Sequence, residues 1–205
     1  MNSCDTMTEL KTVAEIQSGY PFRGRIDFDP IGTIPVVQLR NFDADFNLGQ
    51  SAMLCVRRLH GAERYALQPG DVLYASKGER NFACAVTDGL AGAIPASYFF
   101  VLHPRSSALL PEYLAWYINQ PAARTFLRSQ AQRGTHMPVI PKSVFETLPI
   151  HVPPIETQRS IIALDRLQRR EKALTQQLET AKAQLITSVC LRALEGKVTS
   201  RQATL

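Results

Sequence analysis

The sequence predicts an α+β chain: a mixed α/β domain built on a twisted β-sheet, followed by one long C-terminal coiled-coil α-helix. Three observations predict it. Eleven of the 13 prolines lie in residues 1–150, the other two form the pair Pro153-Pro154, and beyond Pro154 the only glycine is Gly196. Proline and glycine interrupt regular structure, so their loss marks a boundary. Before that boundary, short runs of β-branched and aromatic residues alternate with turn residues. After it, leucines recur at heptad spacing. The resulting divisions are 1–152 for the mixed domain, 153–196 for the helix and 197–205 for a C-terminal tail.

The elements follow in chain order. Ile34-Pro35-Val36-Val37-Gln38-Leu39 is the first strand. Pro69-Gly70 turns into a second, Asp71-Val72-Leu73-Tyr74-Ala75. The charged, glycine-bearing stretch Lys77-Gly78-Glu79-Arg80-Asn81 links it to a third, Phe82-Ala83-Cys84-Ala85-Val86. Tyr98-Phe99-Phe100-Val101-Leu102 is a fourth. Pro111 opens a helix carrying Leu114, Tyr117 and Ile118, because proline lacks only an N–H that the first helical turn leaves unpaired anyway. Asn119-Gln120-Pro121 breaks that helix, and Ala122 to about Gln130 resumes it. Arg133-Gly134-Thr135-His136 is a second polar loop.

Pro154 sits at the start of the long helix, and Glu156 lies near the positive end of its dipole. Leu164, Leu167, Leu174, Leu178, Ala181 and Leu185 fall at a/d-like spacings, widened by Ile161, Ile186 and Val189. The residues between are polar, and Gly196 is a natural C-cap. Forty-odd residues make a rod of roughly 60 Å that cannot bury its own apolar stripe. The first domain offers no helix of that length. The stripe therefore predicts pairing with another chain or another copy of this one.

Hydrophobic residues make up 45% of the 205, enough for a sizeable core. No run approaches the roughly 18 apolar residues of a membrane span, and the polar start Met1–Thr6 is not a signal peptide. These features predict a soluble, cytoplasmic protein without a membrane partner. Cys4, Cys55, Cys84 and Cys190 are far apart in sequence and predict free thiols rather than a metal knuckle. The net charge is +5. Residues 57–133 hold nine basic and five acidic residues, the bases mostly arginine. Arginine's planar fork suits phosphates and guanine edges, so the balance favours a polyanionic partner.

Most catalytic signatures are absent. There is no phosphate-binding GxxxxGK[ST], no dinucleotide-binding GxGxxG, no HExxH and no GxSxG. The only Gly-Lys pair, Gly196-Lys197, follows a helix instead of opening one. His60, His103, His136 and His151 are widely spaced singletons. Asp71 and Lys77 suggest a metal-dependent nuclease, but Ala75 stands where the second metal-binding carboxylate is needed. Pro153-Pro154-Ile155 lacks the preceding Asn or Asp and the following aromatic of an amino-methyltransferase motif. The sequence predicts a binder, not an enzyme, with no cofactor of its own.

Four stretches then carry a family resemblance. They are Ala14-Glu15-Ile16-Gln17-Ser18-Gly19-Tyr20-Pro21-Phe22, Leu67-Gln68-Pro69-Gly70-Asp71-Val72-Leu73-Tyr74-Ala75-Ser76-Lys77-Gly78, Pro111 to Pro121, and Leu148-Pro149-Ile150-His151-Val152-Pro153-Pro154-Ile155-Glu156-Thr157-Gln158. In order and spacing they resemble the specificity subunit of type I restriction–modification systems, with one target-recognition domain and one spacer helix. Thr157 departs from the pattern, which commonly has a second Glu before the Gln. A standard specificity subunit carries two recognition domains and two spacer helices, so this chain resembles a half-length form.

The resemblance implies sequence-specific binding of double-stranded DNA, with partner DNA adenine methyltransferase subunits and a restriction nuclease–translocase subunit. Adenosylmethionine, Mg²⁺ and ATP would belong to those partners. It also implies a half subunit that pairs, with itself as a homodimer or with a different half. Exposed loops carrying donors and acceptors are where bases are read. This places Lys77, Arg80 and Asn81 on one candidate DNA-binding loop and Arg133, Thr135 and His136 on another, with Arg57 and Arg58 as phosphate contacts. Family recognition domains vary most where they read bases, so the resemblance itself assigns none of these positions. Leu164, Leu167, Leu174, Leu178, Ala181 and Leu185 are the candidate dimerisation residues. Two alternatives stay open: a specificity subunit serving a fused nuclease–methyltransferase or another methylation-based defence system, and a coiled-coil adaptor without DNA binding.

Overall fold

A computed structural model describes residues 7–22, 24, 26, 29–43, 46, 53–57, 59–78, 80–131 and 138–201, with the side chains of the C-terminal helix described as far as Leu194. The chain divides into two units, Met1–Arg159 and Ser160–Leu205. The first opens with strand β1 (Met7–Glu9), a helical turn α1 (Leu10–Val13) and strand β2 (Ala14–Ser18). Strands β3 (Ile34–Val37), β4 (Leu54–Val56), β5 (Val72–Ala75), β6 (Ala83–Ala85), β7 (Ile94–Pro95) and β8 (Phe99–Pro104) follow. Helices α2 (Pro111–Ile118) and α3 (Pro121–Ser129), the short α4 (Lys142–Glu146) and strand β9 (Pro149–His151) precede helix α5 (Ile155–Arg201). The four sequence-predicted strands fall on β3, β5, β6 and β8. The predicted helix break falls between α2 and α3.

Three sheets form. The largest is antiparallel throughout, in the order β2-β8-β5-β6. A second has the order β4-β3-β7, with β3 and β7 parallel. The third pairs the ends of the unit, β1 against β9, with Met7 opposite His151. Val72, Leu73, Tyr74 and Ala75 are all buried, so β5 is covered on both faces. Side chains alternate across a strand. Leu73 and Ala75 join Phe99 and Val101 in a core with Val37, Leu67, Phe82, Val86, Leu90 and Ala93. On the opposite face the Tyr74 ring stacks on Phe145 of α4 at 4.2 Å, and Phe100 lies 5.5 Å from the same ring.

Two side-chain amides, one half-buried and one buried, tie the elements together. Asn119, at the end of α2, accepts from the Ala83 N–H at 2.9 Å and donates to the Ala83 carbonyl at 2.7 Å. It therefore stands in for a further strand on the β6 edge. Gln158 is fully buried in the first turn of α5. Its Nε2 donates to the carbonyls of Ala108 at 2.7 Å and Pro153 at 2.8 Å, and its Oε1 accepts from the Leu110 N–H at 2.9 Å. The Gly70-Asp71 pair also has a physical cause. Gly70 takes φ 98°, a left-handed conformation open to glycine. Asp71 Oδ2 then accepts from the Gln68 N–H, while Oδ1 lies 2.6 Å from His103 Nδ1.

Helix α5 begins just after Pro154, whose carbonyl accepts from the Gln158 N–H. The sequence reading ends this helix at Gly196, but α5 continues through it to Arg201. A glycine inside a helix costs only about 1 kcal/mol relative to alanine, and no proline follows to stop the run. In the second unit Leu164, Leu167, Leu174, Leu178 and Leu185 are each half or more exposed, and Ala181 is exposed. The stripe is an open apolar face. Cys55, Cys84 and Cys190 are free, and burial pushes the Cys84 thiol up to about 12. Cys4 lies outside the described residues. No helix among the described residues is long and apolar enough to cross a membrane.

Two expectations follow. Replacing Gln158 by Leu keeps the volume but strands two carbonyls and one N–H, each a buried polar group worth about 1 kcal/mol or more. Urea unfolding should lose about 3 kcal/mol or more. The hydrogen bond to Asp71 raises the His103 pKa above its ordinary 6.5, against an opposing effect of burial. Its stabilisation is present in full below 6.5 and is lost as pH rises through the raised folded value. The melting temperature should fall from pH 6 to pH 8 more steeply for the native chain than for His103→Gln.

Candidate nucleic-acid interface

The first loop predicted to bind DNA starts at a hydrogen-bonded seam with residues 138 and 139. The backbone of Lys77 bridges Val139, and the Gly78 N–H donates to the Pro138 carbonyl at 3.1 Å. Pro138 comes two residues after His136, the last residue of the second predicted loop. Arg133, Thr135 and His136 themselves lie outside the described residues, as does Arg58. Lys77 is half-buried, with its ammonium 5.7 Å above the Tyr98 ring. Arg57 is exposed at the end of β4 and pairs with Asp29 at 3.1 Å.

Arg80 and Asn81 have local structural duties. Arg80 is exposed, donates to the Asp43 carbonyl at 3.1 Å and sits 5.3 Å over the Phe46 ring. Asn81 Nδ2 donates to the Ala75 carbonyl at 2.9 Å and so folds the loop back onto the end of β5. The Asn81 carbonyl accepts from Arg124 at 2.9 Å. Phe46 takes a left-handed φ of 64°, uncommon for a bulky residue. Its ring stacks on Phe82 at 4.6 Å, and Arg80 and Arg124 both lie over it. Leu39, Phe42, Asp43, Lys77, Gly78, Arg80 and Phe82 line a cavity of about 300 Å³ beside this stack.

The structure adds two arginines that the sequence reading passed over. Arg124 and Arg128 lie four residues apart on α3, the spacing of one helix face. With Tyr74, Asn81, Ile118 and Leu127 they line a notch of about 10 Å³. Through Asn81 this notch adjoins the Lys77–Arg80 loop. Arg128 is exposed; Arg124 is half-buried. The signal was present in the sequence as two arginines four residues apart, but only the fold brings α3 beside residue 81. Lys77 and Arg80 line the cavity, Arg124 and Arg128 line the notch, and Arg80 and Arg124 meet over the Phe46 ring.

No family model matches the chain, and no curated protein does. Solved structures do. An HsdS subunit from Thermoanaerobacter tengcongensis is 21% identical, with a TM-score of 0.57 over 82% of this chain and 38% of that one. A type I restriction-modification system S subunit from M. genitalium is 13% identical, with a TM-score of 0.54 over 85% of this chain and 42% of that one. A chain from a structural study of complex assembly and conformational transition in the type I R-M system is 19% identical, with a TM-score of 0.64 over 83% of this chain and 44% of that one. The fold is therefore that of type I S subunits. The chain spans less than half the length of each of these three chains.

One expectation separates loop support from ligand contact. Asn81→Ala removes the donor to the Ala75 carbonyl and should cost about 1 kcal/mol in denaturant unfolding. Lys77→Ala should leave stability within about 0.5 kcal/mol.

Proposed function

We propose that this chain is a DNA-specificity half subunit of a type I restriction–modification system. It recognises one half of a bipartite double-stranded target and pairs through α5. The observation that carries the reading is the S-subunit fold over more than four fifths of this chain, joined to the basic side chains Lys77, Arg80, Arg124 and Arg128 that line the cavity and the notch. Lys77, Arg80 and Arg128 contact DNA, with Arg57 as an outlying phosphate contact. Asn81 and Arg124 hold the loop and α3 in place behind them. Arg133, Thr135 and His136 are further proposed contacts.

The chain supplies recognition and no chemistry. Adenine methylation and DNA cleavage belong to methyltransferase and nuclease–translocase subunits that it recruits. The exposed stripe Leu164, Leu167, Leu174, Leu178, Ala181 and Leu185 is the dimerisation seam. A closed pair of identical chains is most often two-fold; with the two-fold axis perpendicular to the rods, the rods run antiparallel and the two recognition domains sit at opposite ends. A two-fold protein matches a two-fold target with a fixed half-site spacing. The target is then an interrupted palindrome.

The test is a map of adenine methylation in cells making this chain together with its methyltransferase subunits. Identical inverted half-sites around an unread spacer are expected. Leu174→Asp with Leu178→Asp places charges in the seam, a costly burial. It should give a monomer by sedimentation and abolish the motif. Two different half-sites would overturn self-pairing, and no new methylated motif would overturn the specificity reading.

A further inference from the structure

The notch between β5 and α3 holds two donors with nothing to donate to. Tyr74 is only 2% exposed, yet its hydroxyl has no hydrogen-bond partner. The buried Nε of Arg124 has none either. Both residues line the same notch, and its volume of about 10 Å³ is room for one water-sized atom. The lining also includes Arg128, and no carboxylate is among the described lining residues. Buried donors left unpaired are costly, and a pair of guanidiniums without a counter-charge favours an anion over a neutral guest.

We propose that this notch is a phosphate site: one anionic oxygen enters it and accepts from the Tyr74 hydroxyl and Arg124 Nε, while the exposed Arg128 at the rim pairs with the rest of the group. The size of the notch admits one oxygen and leaves the remainder of the phosphate outside. The proposal rests on the DNA-binding reading for the source of that oxygen, a backbone phosphate, but not for the site itself. Tyr74 stays a donor at working pH, because burial raises its pKa against the opposing charges of Arg124 and Arg128. Its ring is held by the Phe145 stack, so the hydroxyl can be removed without moving the ring. A contact of this kind positions DNA without reading sequence.

The experiment uses the full chain and inorganic phosphate as the probe. Thermal unfolding is followed in sodium phosphate and in sodium chloride, at one pH and equal ionic strength. The native chain should melt about 3 °C higher in phosphate, as expected for a ligand several-fold above its dissociation constant. Tyr74→Phe should melt no lower than the native chain in chloride and should gain nothing from phosphate. Arg128→Ala should reduce the gain. Equal melting of the native chain in the two salts overturns the proposal. So does a loss of stability in Tyr74→Phe in chloride, since the hydroxyl would then already have a partner such as a buried water.

Duplex binding by the complex with methyltransferase subunits identifies the source. Tyr74→Phe should weaken target and random duplexes alike, by about tenfold. Unchanged duplex affinity beside an intact phosphate response overturns the assignment to DNA and leaves a site for free phosphate. Absence of any duplex binding by the native complex sinks the specificity reading while the phosphate result stands.

Discussion

A strand with four apolar side chains in succession cannot lie on a surface, and β5 is such a strand. Its burial on both faces obliges the chain to build a layer on each side. One layer is the core around Phe82, Leu67 and Val101. The other is the aromatic stack of Tyr74, Phe100 and Phe145. Because β5 is central, its ends are fixed on all sides. The loop leaving it therefore starts from a rigid point. Asn81 then returns that loop to Ala75, so the span between them is clamped at both ends.

The cluster of Arg80 and Arg124 on Phe46 follows from the same arrangement. Phe46, Phe82 and the two guanidiniums of Arg80 and Arg124 form one packed assembly. Guanidinium planes keep their charge while lying on aromatic faces, where an ammonium fits less well. Two positive groups can thus be held close together in fixed directions. The side chains are ordered before any ligand arrives, which lowers the ordering cost of binding.

The sequence made the element types readable but not the partners. Ile34–Leu39 and Tyr98–Leu102 stood out because a core strand must be apolar and β-branched or aromatic. The two-residue β7 and the three-residue β1 and β4 carried no period to detect. Asn119 and Gln158 both lay inside stretches that carried the family resemblance, yet their roles were hidden. Asn119 pairs with Ala83, 36 residues away, and Gln158 with Ala108, 50 away. Local reasoning cannot supply contacts at that range. Asn81 was misleading for the opposite reason: a polar residue in a charged loop resembles a free donor until the strand carbonyl it closes on is seen. Gly196 was read as a stop on local preference, and a continuous helix overrode it.

The β1–β9 ribbon has a consequence for synthesis. Met7 finds its neighbour only when His151 exists. At roughly 5–20 residues per second, the ribosome takes about 7–30 seconds to make the stretch between them. Throughout that interval β1 is an unpaired edge, the kind of strand that invites pairing with other chains. The charged pair Glu9 and Lys11, 2.6 Å apart, sits at its end and discourages such encounters. Helix α5 starts four residues after the ribbon's last member. Translation thus delivers the sticky leucine stripe only after all the described strands of the first unit have been made.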